Sequence, residues 1–307
     1  MFSSYKHLLK QASSGNYAVG AFNVNNLEFI HAVMAAAEAE KSPVIIQTSH
    51  GALEYAGFEE LSALVHVVAS KTKIPVVLHL DHGTDAELVA FVIRSGLYQS
   101  VMFDGSSLSY DENIRETSKL AKLAHKAGMS LEAELGAIAG IEDFVSVEER
   151  DAHLTDPKQA QEFVKATGCD ALAIAIGTRH GAFKFTEASK LDFPRLKKIN
   201  DLVSVPLVLH GASGIPANIM KICTKYGCKI EDAKGVADAH IKKAVSLGIK
   251  KVNIDSDLRI DFDAGVRQFL NDNPEVIDPR KILGPAQALM SKVVSQKMRM
   301  LGCAGKA

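Results

Sequence analysis

Eight short apolar runs recur along the chain, each bounded by Gly, Pro, Ser or Asp. They are 17–24 (YAVGAFNV), 43–49 (PVIIQTS), 75–81 (PVVLHLD), 100–106 (SVMFDGS), 130–136 (SLEAELG), 171–177 (ALAIAIG), 206–212 (PLVLHGA) and 251–257 (KVNIDSD). Most are near-continuous Val, Ile, Leu and Ala, which is how strands covered on both faces of a parallel sheet read. Helical spacing fills the gaps. Residues 27–40 carry Leu27, Ile30, Val33, Met34 and Ala37; 59–71 carry Leu61, Leu64, Val65 and Val68; 111–126 carry Ile114, Leu120, Leu123 and Ala124. The runs start at 17, 43, 75, 100, 130, 171, 206 and 251. Those intervals suit strand–helix units with insertions, and eight right-handed units predict a (β/α)8 TIM barrel, an α/β fold. An open doubly wound sheet is the second option, disfavoured because no GxGxxG fingerprint opens any unit. An extra N-terminal helix over about 3–14 would cap the barrel bottom, and 279–301 reads as a C-terminal helical tail. No low-complexity linker or internal repeat divides the chain, so 1–307 is expected to be a single catalytic domain.

Composition narrows the class. Of 307 residues, 47% are hydrophobic and 23% charged, which excludes wholesale disorder. Lys and Arg number 35 against 36 Asp and Glu, so there is no bulk positive field for nucleic acid or an anionic membrane. No run approaches the ~18 apolar residues of a membrane helix. The first residues lack the apolar stretch of a secretory signal. Four cysteines are too few for a disulfide framework at this length, so a reducing, cytoplasmic location is expected.

Barrel enzymes carry their chemistry at the C-terminal strand ends. Here those ends hold Asn23, Ser49, Asp81 with His82, Asp104, Glu134, His180, His210 with Ser213, and Asn253 with Asp255. Strands that merely pack would not place polar residues at one end of nearly every run. His82, His180 and His210 follow the third, sixth and seventh strands, each beside a glycine, and can converge above the barrel axis. Imidazole suits Zn2+, and three protein ligands with an open position describe a catalytic site. His79 shares strand parity with Asp81 and reads as packing. Cys223 and Cys228 lack the partners a zinc knuckle needs.

The turns 210–214 (HGASG) and 253–257 (NIDSD) follow strands seven and eight, where barrels recurrently bind phosphate on backbone N–H groups and hydroxyls. The run after strand five, 137–156, is long enough for a lid. Glu142 within it is either a carboxylate that swings onto substrate or a solvated charge, and composition does not divide the two.

The motifs HLDHG (79–83), EAELG with GIED (132–136, 140–143), GTRHGAFKF (177–185), LHGASGIP (209–216) and NIDSDLR (253–259) resemble class II, zinc-dependent fructose-bisphosphate aldolases. The likeness runs in order from AFNVNN (21–26) and QTSHGA (47–52) to DPRK (278–281), and is nearest the short bacterial branch, which includes tagatose-bisphosphate aldolases. The resemblance implies that His82, His180 and His210 hold the catalytic zinc, with Asp104 and Glu134 at a second zinc position. It implies Asp81 as acid/base at the substrate C4 oxygen and Glu142 as the loop base beside the carbonyl. Gly181, Gly211, Ser213, Asn253, Ile254, Asp255 and Ser256 would hold the phosphate and hydroxyls of dihydroxyacetone phosphate, and Asn23, Ser49 and Ala212 are further expected substrate-binding residues. A monovalent cation, Na+ or K+, is expected near that phosphate, and a homodimer or homotetramer is the expected assembly.

Two departures stand out: Arg179 where the short branch commonly has Ser, and Ala212 where many members have Gly. The second phosphate of a bisphosphate needs its own partner, and an arginine fork suits it. The resemblance points to Arg280, acting on its own or a neighbouring subunit's site; Arg179 and Arg259 are the other candidates. The implied reaction is reversible cleavage of fructose 1,6-bisphosphate to dihydroxyacetone phosphate and glyceraldehyde 3-phosphate, with tagatose 1,6-bisphosphate as the alternative substrate. Two rival enzyme classes are a metal-dependent barrel hydrolase and a Schiff-base aldolase using Lys184; the third rival is a non-catalytic scaffold.

Overall fold

The computed structural model describes residues 1–138, 140–142, 145–147, 153–179, 191–214, 217–228 and 235–307, with backbone only at 141, 142, 145–147 and 217. Eight parallel strands close into the expected barrel. In chain order the elements are α1 (Tyr5–Gly15), β1 (Val19–Asn23), α2 (Leu27–Glu40), β2 (Val44–Ser49), α3 (His50–Ala56), α4 (Phe58–Ser70), β3 (Val76–Gly83), α5 (Ala86–Ser95), β4 (Ser100–Phe103), α6 (Tyr110–Lys126) and β5 (Ser130–Leu135). There follow β6 (Gly140–Glu142), β7 (Val145–Val147), α7 (Pro157–Thr167), β8 (Ala171–Ile174), α8 (Phe193–Leu202), β9 (Leu207–Leu209), α9 (Ala217–Lys225), α10 (Asp238–Ser246), β10 (Ile249–Ile254), α11 (Ser256–Asp272) and α12 (Pro279–Leu301). Around the barrel the strands run β1-β10-β9-β8-β5-β4-β3-β2. The antiparallel pair β6–β7, inserted after β5, was not legible in the sequence.

Helix ends obey local chemistry. Asn26, Ser109, Asp156 and Asp278 each cap a helix by accepting a backbone N–H, and Ser109 with Glu112 completes a capping box. Left-handed residues close α1, α2, α5, α7 and α12. The apolar faces of these helices cover the outward sides of the strands in one continuous core.

The barrel interior departs from the near-continuous apolar reading. Inward positions alternate with the aliphatic ones and are polar: Gln47 and Ser49, His79 and Asp81, Glu132 and Glu134, Lys251 and Asn253, all buried. The register aligns Asn23 with Gln47, Gln47 with His79, and Ser49 with Asp81. Helix α1 closes the bottom by inserting Tyr5, whose ring stacks on His79 at 5.5 Å between centroids.

Candidate active site

Asp81 and His82 are adjacent, and strict strand alternation would send them to opposite faces. The chain solves this by placing His82 at φ 46°, within an irregularity of the β3–β4 register between Leu80 and Gly83. A non-glycine residue there is strained, and such bulges re-aim side chains. As a result Asp81, His82 and His210 offer ligand atoms within 4.8 Å of one another. His82 Nε2 faces His210 Nδ1 at 2.8 Å, with the rings nearly perpendicular. Two ring nitrogens that close need a proton or a cation between them. A second group, His82 with Asp104 and Glu134, overlaps the first.

Charge in this cluster is unbalanced. Burial opposes a charged His82, but Asp81, Asp104 and Glu134 hold its pKa well above the usual histidine value. Burial would raise Asp104, yet the His82 hydrogen bond at 2.8 Å and the Ser106 N–H keep it well below the carboxylate range. Glu134 goes the other way, pushed well up by burial and by Asp104. Its Oε2 has no hydrogen-bond partner among the described residues. A buried orphan carboxylate oxygen, two converging imidazoles and three carboxylates are the donor set of a divalent cation. The residues present therefore fit zinc.

Below the cluster lies a network absent from the sequence reading. His210 Nε2 lies 2.9 Å from Glu132 Oε1, Lys251 Nζ pairs with Glu132 at 3.0 Å, and Tyr5 Oη donates to Glu132 Oε2. Burial would raise Glu132, but Lys251 and His210 hold it well below its ordinary value. The Glu132 contact fixes which nitrogen of His210 turns to the mouth, the usual role of a carboxylate behind a metal-bound histidine. The signal was present: Glu132 and Glu134 share parity in EAELG, and Lys251 shares it with Asn253.

Asp81 is held on three sides. Asn23 Nδ2 donates at 2.9 Å, Gln47 Nε2 at 3.1 Å and Asn253 Nδ2 at 2.9 Å. Gln47 also donates to Asn23 Oδ1 at 2.6 Å and was not singled out from sequence. Ser49 is buried and caps α3 through Ala52 N–H. Across the same rim, Gly211 adopts φ 61°, and a Cβ there would meet Arg179 O at 2.5 Å, so glycine is required. Ala212, Ser213, Asn253, Ile254, Asp255 and Ser256 are all buried along this rim. Asp255 N–H donates to Ser213 Oγ at 3.5 Å, and Asp255 pairs with Arg259 at 2.8 Å. Ser256 opens α11, whose N-terminal dipole favours an anion.

A family model described as "Fructose-bisphosphate aldolase class-II" matches residues 3–306. The chain belongs to this family. A fructose-bisphosphate aldolase of Thermus caldophilus is 46% identical over 300 residues, covering 98% of both chains. One from Helicobacter pylori strain 26695 is 46% identical, covering 97% of both. One from Giardia intestinalis is 42% identical, covering 98% of this chain and 93% of its own. Among solved structures, the YdjI aldolase of Escherichia coli K12 superposes with a TM-score of 0.80 at 33% identity over the full length of both chains. A putative fructose-1,6-bisphosphate aldolase of Coccidioides immitis gives 0.81 at 29% identity, covering 98% and 97%.

Class II membership makes the enzyme a zinc-dependent lyase on a TIM barrel. Of the residues expected at its centre, the structure brings together Asp81, His82, His210, Asp104, Glu134, Asn23 and Asn253. His180, Gly181 and the side chain of Glu142 lie outside the described residues. Arg280 is elsewhere: its guanidinium is at the surface, paired with Asp278 at 2.8 Å. No helix among the described residues is long and apolar enough to cross a membrane.

Proposed function

We propose that this chain catalyses reversible aldol cleavage of fructose 1,6-bisphosphate, with zinc held by His82, His180 and His210, and Asp104 and Glu134 forming the second zinc position. The reading is carried by the convergence of Asp81, His82 and His210 at the C-terminal mouth of the barrel. The chemistry zinc supplies when bound is Lewis-acid stabilisation of negative charge developing at a carbonyl oxygen. Asp81 takes the proton of the C4 hydroxyl as the C3–C4 bond breaks, its two oxygens aimed by Asn23, Gln47 and Asn253. Glu142 delivers a proton to the carbon next to the carbonyl, releasing dihydroxyacetone phosphate. Gln47 Oε1 and Asn253 Oδ1 are buried acceptors with no partner among the described residues, suited to substrate hydroxyls. Gly181, Gly211, Ala212, Ser213 and Asn253 through Ser256 bind the phosphate, a role that glycine-bearing turns and a helix N-terminus such as that of α11 suit through their backbone N–H groups. Remote phosphate binding orients the reacting carbons.

A monovalent cation, Na+ or K+, accompanies that phosphate in this reading. Arg280 serves the second phosphate of a neighbouring subunit in a homodimer or homotetramer. Its exposure and that of nearby Ile277, 91% accessible, support a subunit contact there. Four unpaired cysteines support a reducing, cytoplasmic location. Exhaustive chelation should abolish cleavage of fructose 1,6-bisphosphate and added Zn2+ should restore it. Turnover of tagatose 1,6-bisphosphate in preference would reassign the substrate, and full activity without metal would overturn the mechanism.

A further inference from the structure

Among the buried charged residues that the proposed chemistry does not use is Lys297. It lies near the end of α12, its side chain 7% exposed, where an amine must be paired to be tolerated. Its Nζ donates to Gly214 O at 3.2 Å and lies 3.4 Å from both Asp257 Oδ1 and Asp238 Oδ1. Asp257, fully buried on α11, accepts the Gly214 N–H on that same Oδ1 at 3.3 Å. The backbone of Gly214 is thus gripped by its N–H and its C=O, and the two gripping side chains are joined to each other. Three parts of the chain far apart in sequence close a triangle on one residue.

That residue follows Ser213 directly. Space around it is used up: a Cβ on Gly214 would meet Val236 O at 2.6 Å, and one on Gly235 would meet Ser213 O at 2.2 Å. Val236 N–H closes the contact by donating to Ser213 O at 3.1 Å. The turn after β9 therefore cannot shift away from α12 and α11 without breaking the triangle. An apolar side chain would fill the same volume, so packing alone does not account for an ammonium here.

We propose that Lys297 and Asp257 are positioning residues for phosphate binding, clamping Gly214 so that Ser213 and the backbone N–H groups of the turn stay fixed for the substrate anion. This rests on the assignment of the phosphate to the turns after β9 and β10. A preorganised anion turn avoids the ordering cost at binding, so its loss appears in affinity ahead of the chemical step.

The test uses the zinc-loaded enzyme. Lys297→Met should raise KM for fructose 1,6-bisphosphate, and the Kd of dihydroxyacetone phosphate and of inorganic phosphate by calorimetry, by about tenfold or more. Its kcat should stay within about threefold, since general acid–base groups are worth far more. Lys297→Arg, which keeps the donors, should recover most of the affinity. Should Lys297→Met not fold, Asp257→Asn carries the test, because it keeps an acceptor for Gly214 but loses the charge that holds Lys297; a severalfold weaker phosphate Kd is expected. A folded variant with phosphate affinity within twofold of wild type, while Ser213→Ala does weaken it, would overturn the clamp alone. If Ser213→Ala also leaves phosphate affinity unchanged, the placement of the phosphate falls and the clamp falls with it.

Discussion

Replacing Lys251 by Met tests whether the polar barrel interior is held together by charge. Lys251 is fully buried, and its Nζ reaches both oxygens of Glu132, at 3.1 and 3.0 Å. Methionine fills nearly the same volume, so no sizeable cavity opens. The loss is electrostatic: Glu132 remains buried with the Tyr5 hydroxyl, His210 and, at 3.8 Å, His79 as its neighbours, and loses its lysine counter-charge. Breaking one side of a buried pair costs about 3–5 kcal/mol. Unfolding entropy near 60 °C is about 2.1 cal/mol/K per residue, so for a chain this long that loss lowers Tm by roughly 5–8 °C. Calorimetry on chelated protein would read it without the stabilisation that bound zinc adds. The double variant with Glu132→Gln removes the orphaned charge as well, and should recover more than half of the loss. A Tm within about 1 °C of wild type, or additive losses in the double variant, would show that the Lys251–Glu132 pair is not what secures the interior.

Asp81→Asn should keep zinc stoichiometry, measured by atomic absorption, while kcat falls roughly 10²–10⁴-fold; retained turnover would remove Asp81 from the proton transfer. Asp261 is buried beside Asp257, and burial followed by that neighbouring charge pushes its pKa from 3.8 up to about 8. A raised carboxyl favours the fold most below its unfolded pKa, and this contribution is lost as pH rises to about 8, with a slope of up to about 1.4 kcal/mol per pH unit. Asp261→Asn should therefore flatten Tm against pH between 5 and 8 and be the more stable protein at the alkaline end; parallel profiles would refute the burial argument. Gly211→Ala places a Cβ 2.5 Å from Arg179 O at a positive φ, and should cost about 1–3 kcal/mol of stability and weaken phosphate binding, read by thermal shift and calorimetry; a neutral effect would show that the two rim loops part easily.

Much of the architecture is local information. Residues 27–40 and 279–301 form helices at the expected bounds because their apolar spacing and capping residues depend only on neighbours in sequence. The eight strands follow from apolar runs at regular intervals, and the barrel from the handedness of their connections. Strand-end position alone also selected His82, His210, Asp81, Asp104 and Glu134, since the C-terminal ends of parallel strands share one rim. Family motifs then gave these residues their expected roles.

Other features depended on contacts between distant segments. That adjacent Asp81 and His82 reach one point rests on a single positive φ, set by how β3 meets β4. In the sequence Glu132 and Lys251 are a carboxylate and a lysine within strand runs and Tyr5 is an aromatic in the first helix, and only barrel closure makes them one buried network behind His210. Lys297 lies 83 residues from Gly214 and bears no local mark of its role. Sequence periodicity records which face a residue occupies and at which end of an element. What that residue meets across the barrel is fixed by strand register and packing, where a shift of a few ångströms decides whether a buried charge finds its partner.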